Sequence, residues 1–266
     1  MDQRPIGIFD SGLGGLTAAK TLETILPEED LVYFGDSANM PYGVKSKPEI
    51  RSLALANAAF LNRFDVKAVL VACGTVSSNA LGDLREKYSM PFFGVVEAAC
   101  AAAVHSAPTG RIAVIATKAT IESAAFEKCI QGMLPNATVF SKACQSLVVT
   151  VENGHFRFGD PVAEQAVAEE LAAVKAFAPE VLILACTHFP LLQESIERYM
   201  GAGTKLFSVS EETAKQLKEY LTEHDMLSGR RGGTREWYTS GDTDAFEENA
   251  ALFLGHAVNA RKHVND

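Results

Sequence analysis

The chain has 266 residues, which is enough for one large domain or two smaller ones with a buried core. Apolar residues make up 47% and charged residues 21%, which is typical of a globular protein and excludes a wholly disordered one. The formal net charge of −9 disfavours nonspecific nucleic-acid binding, although it permits a local site for a small acid.

Neither a membrane span nor a metal site is indicated by the sequence. No apolar run approaches the ~18–20 residues of a membrane span, and the first residues lack a signal-peptide pattern, so we expect a cytoplasmic protein without membrane association. The 5 cysteines are widely spaced, with no CxxC pair and no zinc-finger spacing. This pattern indicates neither a disulfide framework nor a metal site, and we expect free thiols.

Short, almost continuously apolar runs alternate along the chain with longer segments of helical apolar spacing. The predicted strands are Pro5–Phe9, Leu31–Phe34, Ala68–Cys73, Pro91–Val96, Ile112–Ala116, Thr138–Phe140, Val181–Cys186, Lys205–Phe207 and Glu236–Thr239. The helical segments include Gly15–Leu26, Pro48–Phe64, Ser77–Tyr88, Ile121–Met133, Asp160–Phe177, Glu211–His224 and Thr243–Gly255, with Ser210 and Asp242 as candidate N-caps. Apolar runs without alternation indicate strands buried on both faces. The succession predicts an α/β fold with mostly parallel sheets.

Two of the predicted strands end in nearly the same way. The segments VLVACGT at 69–75 and LILACTH at 182–188 each run from an apolar strand into Ala-Cys, then into a hydroxyl residue and a helix. This internal similarity predicts two related α/β units that face each other.

Cys73 and Cys186 therefore lie at corresponding strand ends, each before a predicted helix. Ligands of open parallel sheets bind at that edge, and a helix N-terminus favours a thiolate over a thiol. We expect the thiol pKa to fall from ~8.5 toward neutrality, which suits proton transfer, with His188 as a proton relay for Cys186. The alternative, a small buried apolar side chain, stays open for both and is favoured for the other three cysteines.

Two loops and one helix end carry further candidate groups. FDSGLGG at 9–15 follows the first strand, where backbone N–H groups of a glycine-rich turn can approach an anion beside Asp10 and Ser11. Pro41-Tyr42-Gly43 can present Tyr42 and the Gly43 N–H to a carboxylate. Each loop also fits an ordinary turn, and Glu152 fits an ordinary helix end. No GxGxxG or GxxxxGK[ST] spacing occurs, so neither a dinucleotide site nor a P-loop is supported.

Taken together, these segments resemble the glutamate racemases of the cofactor-independent aspartate/glutamate racemase superfamily. The matching motifs run nearly end to end: FDSGLGG at 9–15, GDSANMPYG at 35–43, VACGT at 71–75, VENG at 151–154, ACTHFPLL at 185–192 and TSGDTDAF at 239–246. The resemblance implies two α/β domains, residues 1–96 plus 210–266 and residues 97–209, with the active site in the cleft between them. The family often forms homodimers, which the sequence leaves open.

The resemblance also implies an activity: interconversion of L- and D-glutamate at the α-carbon, with neither metal nor other cofactor, to supply D-glutamate for peptidoglycan. Cys73 would take the proton from D-glutamate with the support of Asp10. Cys186 would take it from L-glutamate with the support of His188 and Glu152. The implied substrate contacts are Asp10, Ser11, Pro41, Tyr42, Gly43, Gly74, Thr75, Thr187 and His188.

One departure from the family bears on the substrate. The family usually has Cys-Asn-Thr where this chain has Cys73-Gly74-Thr75. The missing amide leaves a polar substrate group unpaired, at about 1–3 kcal/mol unless water or another side chain replaces it, so we expect weaker binding or relaxed specificity. A racemase of aspartate or another acidic amino acid therefore stays open, as does a non-catalytic ligand- or gyrase-binding protein. The paired cysteines argue against the latter and against a decarboxylase, which needs only one.

Overall fold

The computed structural model describes residues 1–265, in which ten strands and twelve α-helices alternate. The strands are β1 (Ile6–Asp10), β2 (Leu31–Gly35), β3 (Ala68–Val71), β4 (Phe92–Gly94), β5 (Arg111–Ala116), β6 (Thr138–Ala143), β7 (Val181–Leu184), β8 (Lys205–Ser208), β9 (Arg235–Thr239) and β10 (Ala260–Lys262). The helices are α1 (Leu16–Ile25), α2 (Lys47–Asn62), α3 (Gly74–Asn79), α4 (Leu81–Lys87), α5 (Val95–Ser106), α6 (Lys118–Ser123), α7 (Ala125–Met133), α8 (Gln145–Glu152), α9 (Pro161–Phe177), α10 (Gln193–Met200), α11 (Val209–Glu223) and α12 (Thr243–Leu254).

The strands form two sheets, and all their pairings within residues 1–265 are parallel. One sheet has six strands in the order β10-β9-β2-β1-β3-β4, and the other has four in the order β6-β5-β7-β8. Every residue of β1, β2, β3 and β7 is buried, because helices cover both faces of each sheet. This explains the continuous apolar runs and confirms the predicted α/β fold with parallel sheets.

All nine predicted strands are present, and the prediction missed one. Strand β10 has three residues, of which only Ala260 is buried, so it leaves no apolar run to detect. The segment predicted as one helix over 77–88 is two helices, broken at Ala80. The segment 121–133 is likewise broken, at Ala124, whose φ of 53° lies in the left-handed region.

The two candidate N-caps have different outcomes. Asp242 caps α12, and its carboxylate accepts a hydrogen bond from the Ala245 N–H at 2.8 Å. The prediction for Ser210 is wrong, because α11 begins at Val209 and Ser210 lies inside the helix. Its hydroxyl instead lies 2.9 Å from that of Thr17 on α1, so it contributes to packing between the two helices.

The chain crosses from the first sheet to the second after β4 and returns after β8. Each crossing leads directly into a helix, α5 or α11, and these two helices pack against each other. All strands of the six-stranded sheet lie within 1–96 and 210–266, and all strands of the four-stranded sheet lie within 97–209. We propose these ranges as the two domains. Of the helices in residues 1–265, none has the length and apolar character needed to cross a membrane.

Candidate active site

The carboxyl ends of strands from both sheets line one cleft. Because the strands of each sheet are parallel, the loops that follow them converge on this edge. The cleft is lined by Ser11, Gly12, Met40, Pro41, Tyr42, Gly43, Cys73, Gly74, Thr75, Thr117, Gln145, Val148, Glu152, Ala185, Cys186, Thr187 and His188. Every site residue expected from the sequence is therefore at the cleft, except Asp10, which is fully buried behind it.

Cys73 is buried at the end of β3, immediately before α3. Its thiol donates a hydrogen bond to the Ser11 hydroxyl, with 3.6 Å between sulfur and oxygen. Burial, and to a smaller extent the nearby Asp10 carboxylate, raise the pKa of this thiol to about 12. The Val76 N–H in the first turn of α3 lowers the pKa, but by less than burial raises it. The expected shift toward neutrality is therefore wrong for Cys73, which is a protonated thiol at neutral pH.

Asp10 ends β1 and is fully buried. One carboxylate oxygen, Oδ2, accepts a hydrogen bond from the Gly12 N–H at 3.1 Å, and the other, Oδ1, has no hydrogen-bond partner among residues 1–265. Burial raises the pKa of this carboxyl, although the charge of His188 and neighbouring backbone N–H groups lower it. Asp10 therefore binds a proton more readily than an exposed aspartate and lies close enough to Cys73 to influence its charge.

Cys186, His188 and Glu152 form a continuous polar chain on the other side of the cleft. The Cys186 sulfur lies 3.6 Å from Nδ1 of His188, and Nε2 of His188 lies 3.4 Å from Oε1 of Glu152. Burial lowers the pKa of His188, but its interactions with the thiol and the carboxylate raise it more, giving a pKa of about 10. At neutral pH His188 is therefore an imidazolium that lies between the Cys186 sulfur and the Glu152 carboxylate.

The Pro41-Tyr42-Gly43 loop is held by the buried carboxylate of Asp36. Asp36 accepts hydrogen bonds from the hydroxyl of Tyr42, from the Ser240 hydroxyl at 2.6 Å and from the Asn39 amide at 3.0 Å. The Asn57 amide also donates to the Tyr42 oxygen at 3.1 Å. The Tyr42 hydroxyl therefore makes its hydrogen bonds within the protein, to Asp36 and Asn57. The backbone of this loop is left to face a ligand in the cleft.

Threonine hydroxyls connect the two sheets across the cleft. The hydroxyl oxygen of Thr75, after β3, lies 3.0 Å from that of Thr117, after β5. Thr117 lies a further 3.0 Å from the hydroxyl of the buried Thr120. Thr117 was not predicted from the sequence, although its place directly after an apolar strand, like that of Cys73, was the available signal.

Gln145 is a second cleft residue that was not predicted from the sequence. It follows Ala143-Cys144 at the end of β6, so it occupies the place that Gly74 and Thr187 occupy after the other two strand-ending Ala-Cys pairs. That third Ala-Cys pair was the signal in the sequence. Its neighbour Cys144 is buried, and burial raises the pKa of that thiol to about 12.

Gly74, after a strand of the six-stranded sheet, lies against the backbone of Ala185, after a strand of the four-stranded sheet. A Cβ atom at this position would be 2.6 Å from the carbonyl oxygen of Ala185, which is closer than real Cβ contacts allow. Glycine therefore permits the two strand ends that carry Cys73 and Cys186 to approach each other.

Comparison with known proteins identifies the family. Residues 17–217 match the family described as Asp/Glu/hydantoin racemase. A glutamate racemase of Thermoanaerobacter pseudethanolicus is 37% identical over 265 residues, which cover 100% of this chain and 98% of that protein. The chain belongs to the Asp/Glu/hydantoin racemase family.

Solved structures of this racemase family share the fold over the whole chain. A glutamate racemase of Bacillus anthracis is 34% identical, with a TM-score of 0.94 over 99% of this chain and 98% of its own. A glutamate racemase of Francisella tularensis, solved with D-glutamate, is also 34% identical, with a TM-score of 0.92 over 100% and 99% of the two chains. The resemblance inferred from the sequence motifs is confirmed.

Within residues 1–265, no group of three or more His, Cys, Asp or Glu side chains is placed so that it could hold a metal ion.

Proposed function

We propose that this protein is a glutamate racemase that moves the α-proton between two thiols. The observation that carries the proposal is that Cys73, from the six-stranded sheet, and Cys186, from the four-stranded sheet, line the same cleft. Inversion at carbon requires a proton to leave one face and another to arrive at the opposite face, and one acid–base group on each side meets that need. The relatives named glutamate racemase support the choice of substrate.

The polar partners of the two thiols suggest how the reaction starts from L-glutamate. Cys186 takes the α-proton, and the electron pair of the broken C–H bond moves into the substrate's α-carboxylate as an enediolate. The protonated Cys73 then gives its proton to the opposite face of the carbon, which yields D-glutamate. The imidazolium of His188 supports negative charge on the sulfur of Cys186 before the transfer, and Glu152 holds the imidazolium. The reverse reaction uses the same steps in the opposite order.

Neutral donors at the cleft suit the substrate's two carboxylates. The hydroxyls of Ser11, Thr75 and Thr187 and the backbone of Gly43 line the same space as the thiols. Fixed donors of this kind stabilise the charge that develops on the α-carboxylate when the α-proton leaves. We assign them the substrate contacts that the resemblance implies.

A second candidate function is racemisation of aspartate or another acidic amino acid, because Gly74 lacks the amide that is usual in the family. The supply of D-glutamate to peptidoglycan, a cytoplasmic location and a homodimer belong to the proposal through the family resemblance alone. A purely binding role is disfavoured because binding alone does not require a thiol joined to an imidazolium and a carboxylate.

Proton exchange in D2O tests the proposal directly. The purified protein is incubated, without added cofactor, with each enantiomer of glutamate and of aspartate. Proton NMR follows the α-proton and circular dichroism follows inversion. We expect both glutamate enantiomers to reach the same racemic, α-deuterated mixture. Because the two enantiomers have equal free energy in water, kcat/KM must be equal in the two directions. Faster turnover of aspartate would favour the second candidate, and no exchange with either acid would contradict both.

The ionisation of His188 predicts the alkaline limb of the pH profile. We expect kcat/KM for L-glutamate to fall as the pH rises through about 10, where His188 loses its charge. Glu152→Gln removes a carboxylate that raises this pKa, so the falling limb should move to lower pH by about one unit.

The raised pKa of His188 also stabilises the folded state. This contribution is fully present below pH 6.5 and is lost as the pH rises through about 10.

Rates measured between pH 7 and 10.5 in wild type and Glu152→Gln give the comparison. The exposed Glu194, outside the cleft, provides the matched control Glu194→Gln, whose profile should coincide with that of wild type. A Glu152→Gln profile with an unmoved alkaline limb would show that the carboxylate does not govern His188.

A further inference from the structure

An asparagine cannot replace Gly74 without moving the backbone. The Cβ of any residue at 74 would lie 2.6 Å from the Ala185 carbonyl oxygen, and that oxygen belongs to the backbone rather than to a flexible side chain. The amide that the family usually provides at this position is therefore excluded here by the approach of the two strand ends. A substrate group that pairs with that amide needs another partner.

Gln145 carries the only side-chain amide among the residues that line the cleft in the described part of the chain. Its Oε1 is buried, yet it has no hydrogen-bond partner among residues 1–265. A buried amide oxygen without a partner is unfavourable, and such groups in folded proteins are nearly always paired. A ligand in the cleft can supply the missing donor.

The placement of Gln145 on α8 links it to the proton-transfer chain. Gln145, Val148 and Glu152 all line the cleft and are spaced as neighbours on one face of a helix. Glu152, at the other end of this face, contacts His188. One helix therefore presents both an unpartnered amide oxygen and the carboxylate that holds the imidazolium.

We propose that Gln145 binds the α-ammonium group of the substrate and supplies the amide that position 74 lacks. The proposal rests on the proposed function, since it takes an acidic amino acid as the substrate. The carboxylates of such a molecule only accept hydrogen bonds at neutral pH, so its α-ammonium is the donor that an amide oxygen requires. Gln145 is thus a specificity-determining residue that distinguishes an amino acid from a dicarboxylic acid of the same length.

Glutarate provides the discriminating ligand, because it has the carbon chain and both carboxylates of glutamate but no ammonium group. Gln145→Leu removes the amide at similar size, and Gln145→Glu retains an acceptor oxygen. Gln165→Leu is the matched control, because Gln165 is an exposed glutamine of α9 that contacts Glu169 rather than the cleft. For each protein, KM and kcat are measured with both glutamate enantiomers, and glutarate is measured as a competitive inhibitor.

We expect Gln145→Leu to raise KM for both enantiomers about 10-fold or more, with the inhibition constant of glutarate unchanged. Gln145→Glu should restore most of the loss, and Gln165→Leu should behave as wild type. An unchanged KM in Gln145→Leu would overturn the proposal. So would a parallel rise in KM and in the glutarate constant, which is what a merely structural role predicts.

The test separates this inference from the proposed function. Turnover of glutamate by the wild-type protein reports on the proposed function alone. If turnover is absent, calorimetric titration of wild type and Gln145→Leu with L-glutamate and glutarate still tests whether Gln145 binds the α-ammonium group. Selective loss of L-glutamate binding in the variant supports Gln145 as the ammonium site, and equal binding to both proteins overturns it.

Discussion

Replacing either Cys73 or Cys186 with alanine will slow glutamate inversion by about 1,000-fold or more in both directions. A positioned acid or base contributes about 10²–10⁴-fold to proton transfer, and inversion needs one on each face of the α-carbon. Both thiols are buried beside polar partners, Ser11 for Cys73 and His188 for Cys186, and alanine leaves neither side chain able to carry a proton. Circular dichroism at saturating L- and D-glutamate measures the loss.

Deuterium incorporation will reveal which thiol faces which enantiomer. Cys73→Ala keeps Cys186, so slow exchange should persist in L-glutamate without inversion. Cys186→Ala should show the reverse, with exchange confined to D-glutamate. Cys129→Ala is the control, because Cys129 is a partly exposed thiol of α7 outside the cleft, and its rates should match those of wild type. Inversion at near wild-type rates in either cleft variant would refute the two-thiol mechanism.

Lys67→Met will cause the largest loss of stability that we expect from a single change outside the cleft. The side chain of Lys67 is 0% exposed and that of its partner Glu29 is 2% exposed, with 2.5 Å between Nζ and Oε2. The ammonium also donates to the backbone oxygens of Asp2 at 2.8 Å and Met226 at 2.7 Å, and Glu29 accepts from the Ser228 N–H at 2.8 Å. Methionine would remove the ammonium from Oε2 of the buried Glu29 carboxylate and from two backbone carbonyls, and it would leave the carboxylate with only its hydrogen bond from Ser228.

Breaking a buried ion pair by removing one partner costs about 3–5 kcal/mol, because the remaining charge stays buried. For a chain of this size that corresponds to a fall in Tm of about 6–20 °C. Lys67 precedes β3 and Glu29 precedes β2, so the pair lies at the amino ends of the strands, whereas the cleft lies at their carboxyl ends. The kcat of the folded variant at low temperature should therefore be close to that of wild type.

Thermal unfolding of Lys67→Met is compared with that of Lys128→Met, a change at an exposed lysine of α7. The control should shift the free energy of unfolding by no more than about 0.5 kcal/mol. A Tm for Lys67→Met within the range of the control would show that the ion pair adds nothing beyond what an apolar side chain of similar volume provides.

The strands of the fold were predictable because a strand that is buried on both faces has a continuous apolar run in the sequence. Strands β3 and β7 are apolar and buried at every position, and they are the clearest cases. Strand β10 and the helix breaks at Ala80 and Ala124 were missed because pairing at an exposed edge and a local backbone turn leave no such run. Helix starts depend on geometry as well as residue type, which is why Asp242 was found as a cap and Ser210 was misplaced.

The sequence alone determined the fold class, the family and the positions of two thiols at strand ends, because these depend on local pattern and on motifs. The tertiary structure decided which groups act on one another. Burial, rather than the helix N-terminus, sets the pKa of Cys73, and burial arises from residues distant in the chain. The contact of Gly74 with Ala185 and the unpartnered oxygen of Gln145 likewise exist only where strand ends from the two sheets meet. Such contacts have no counterpart in local sequence, because they are formed by the packing of two separate sheets around one cleft.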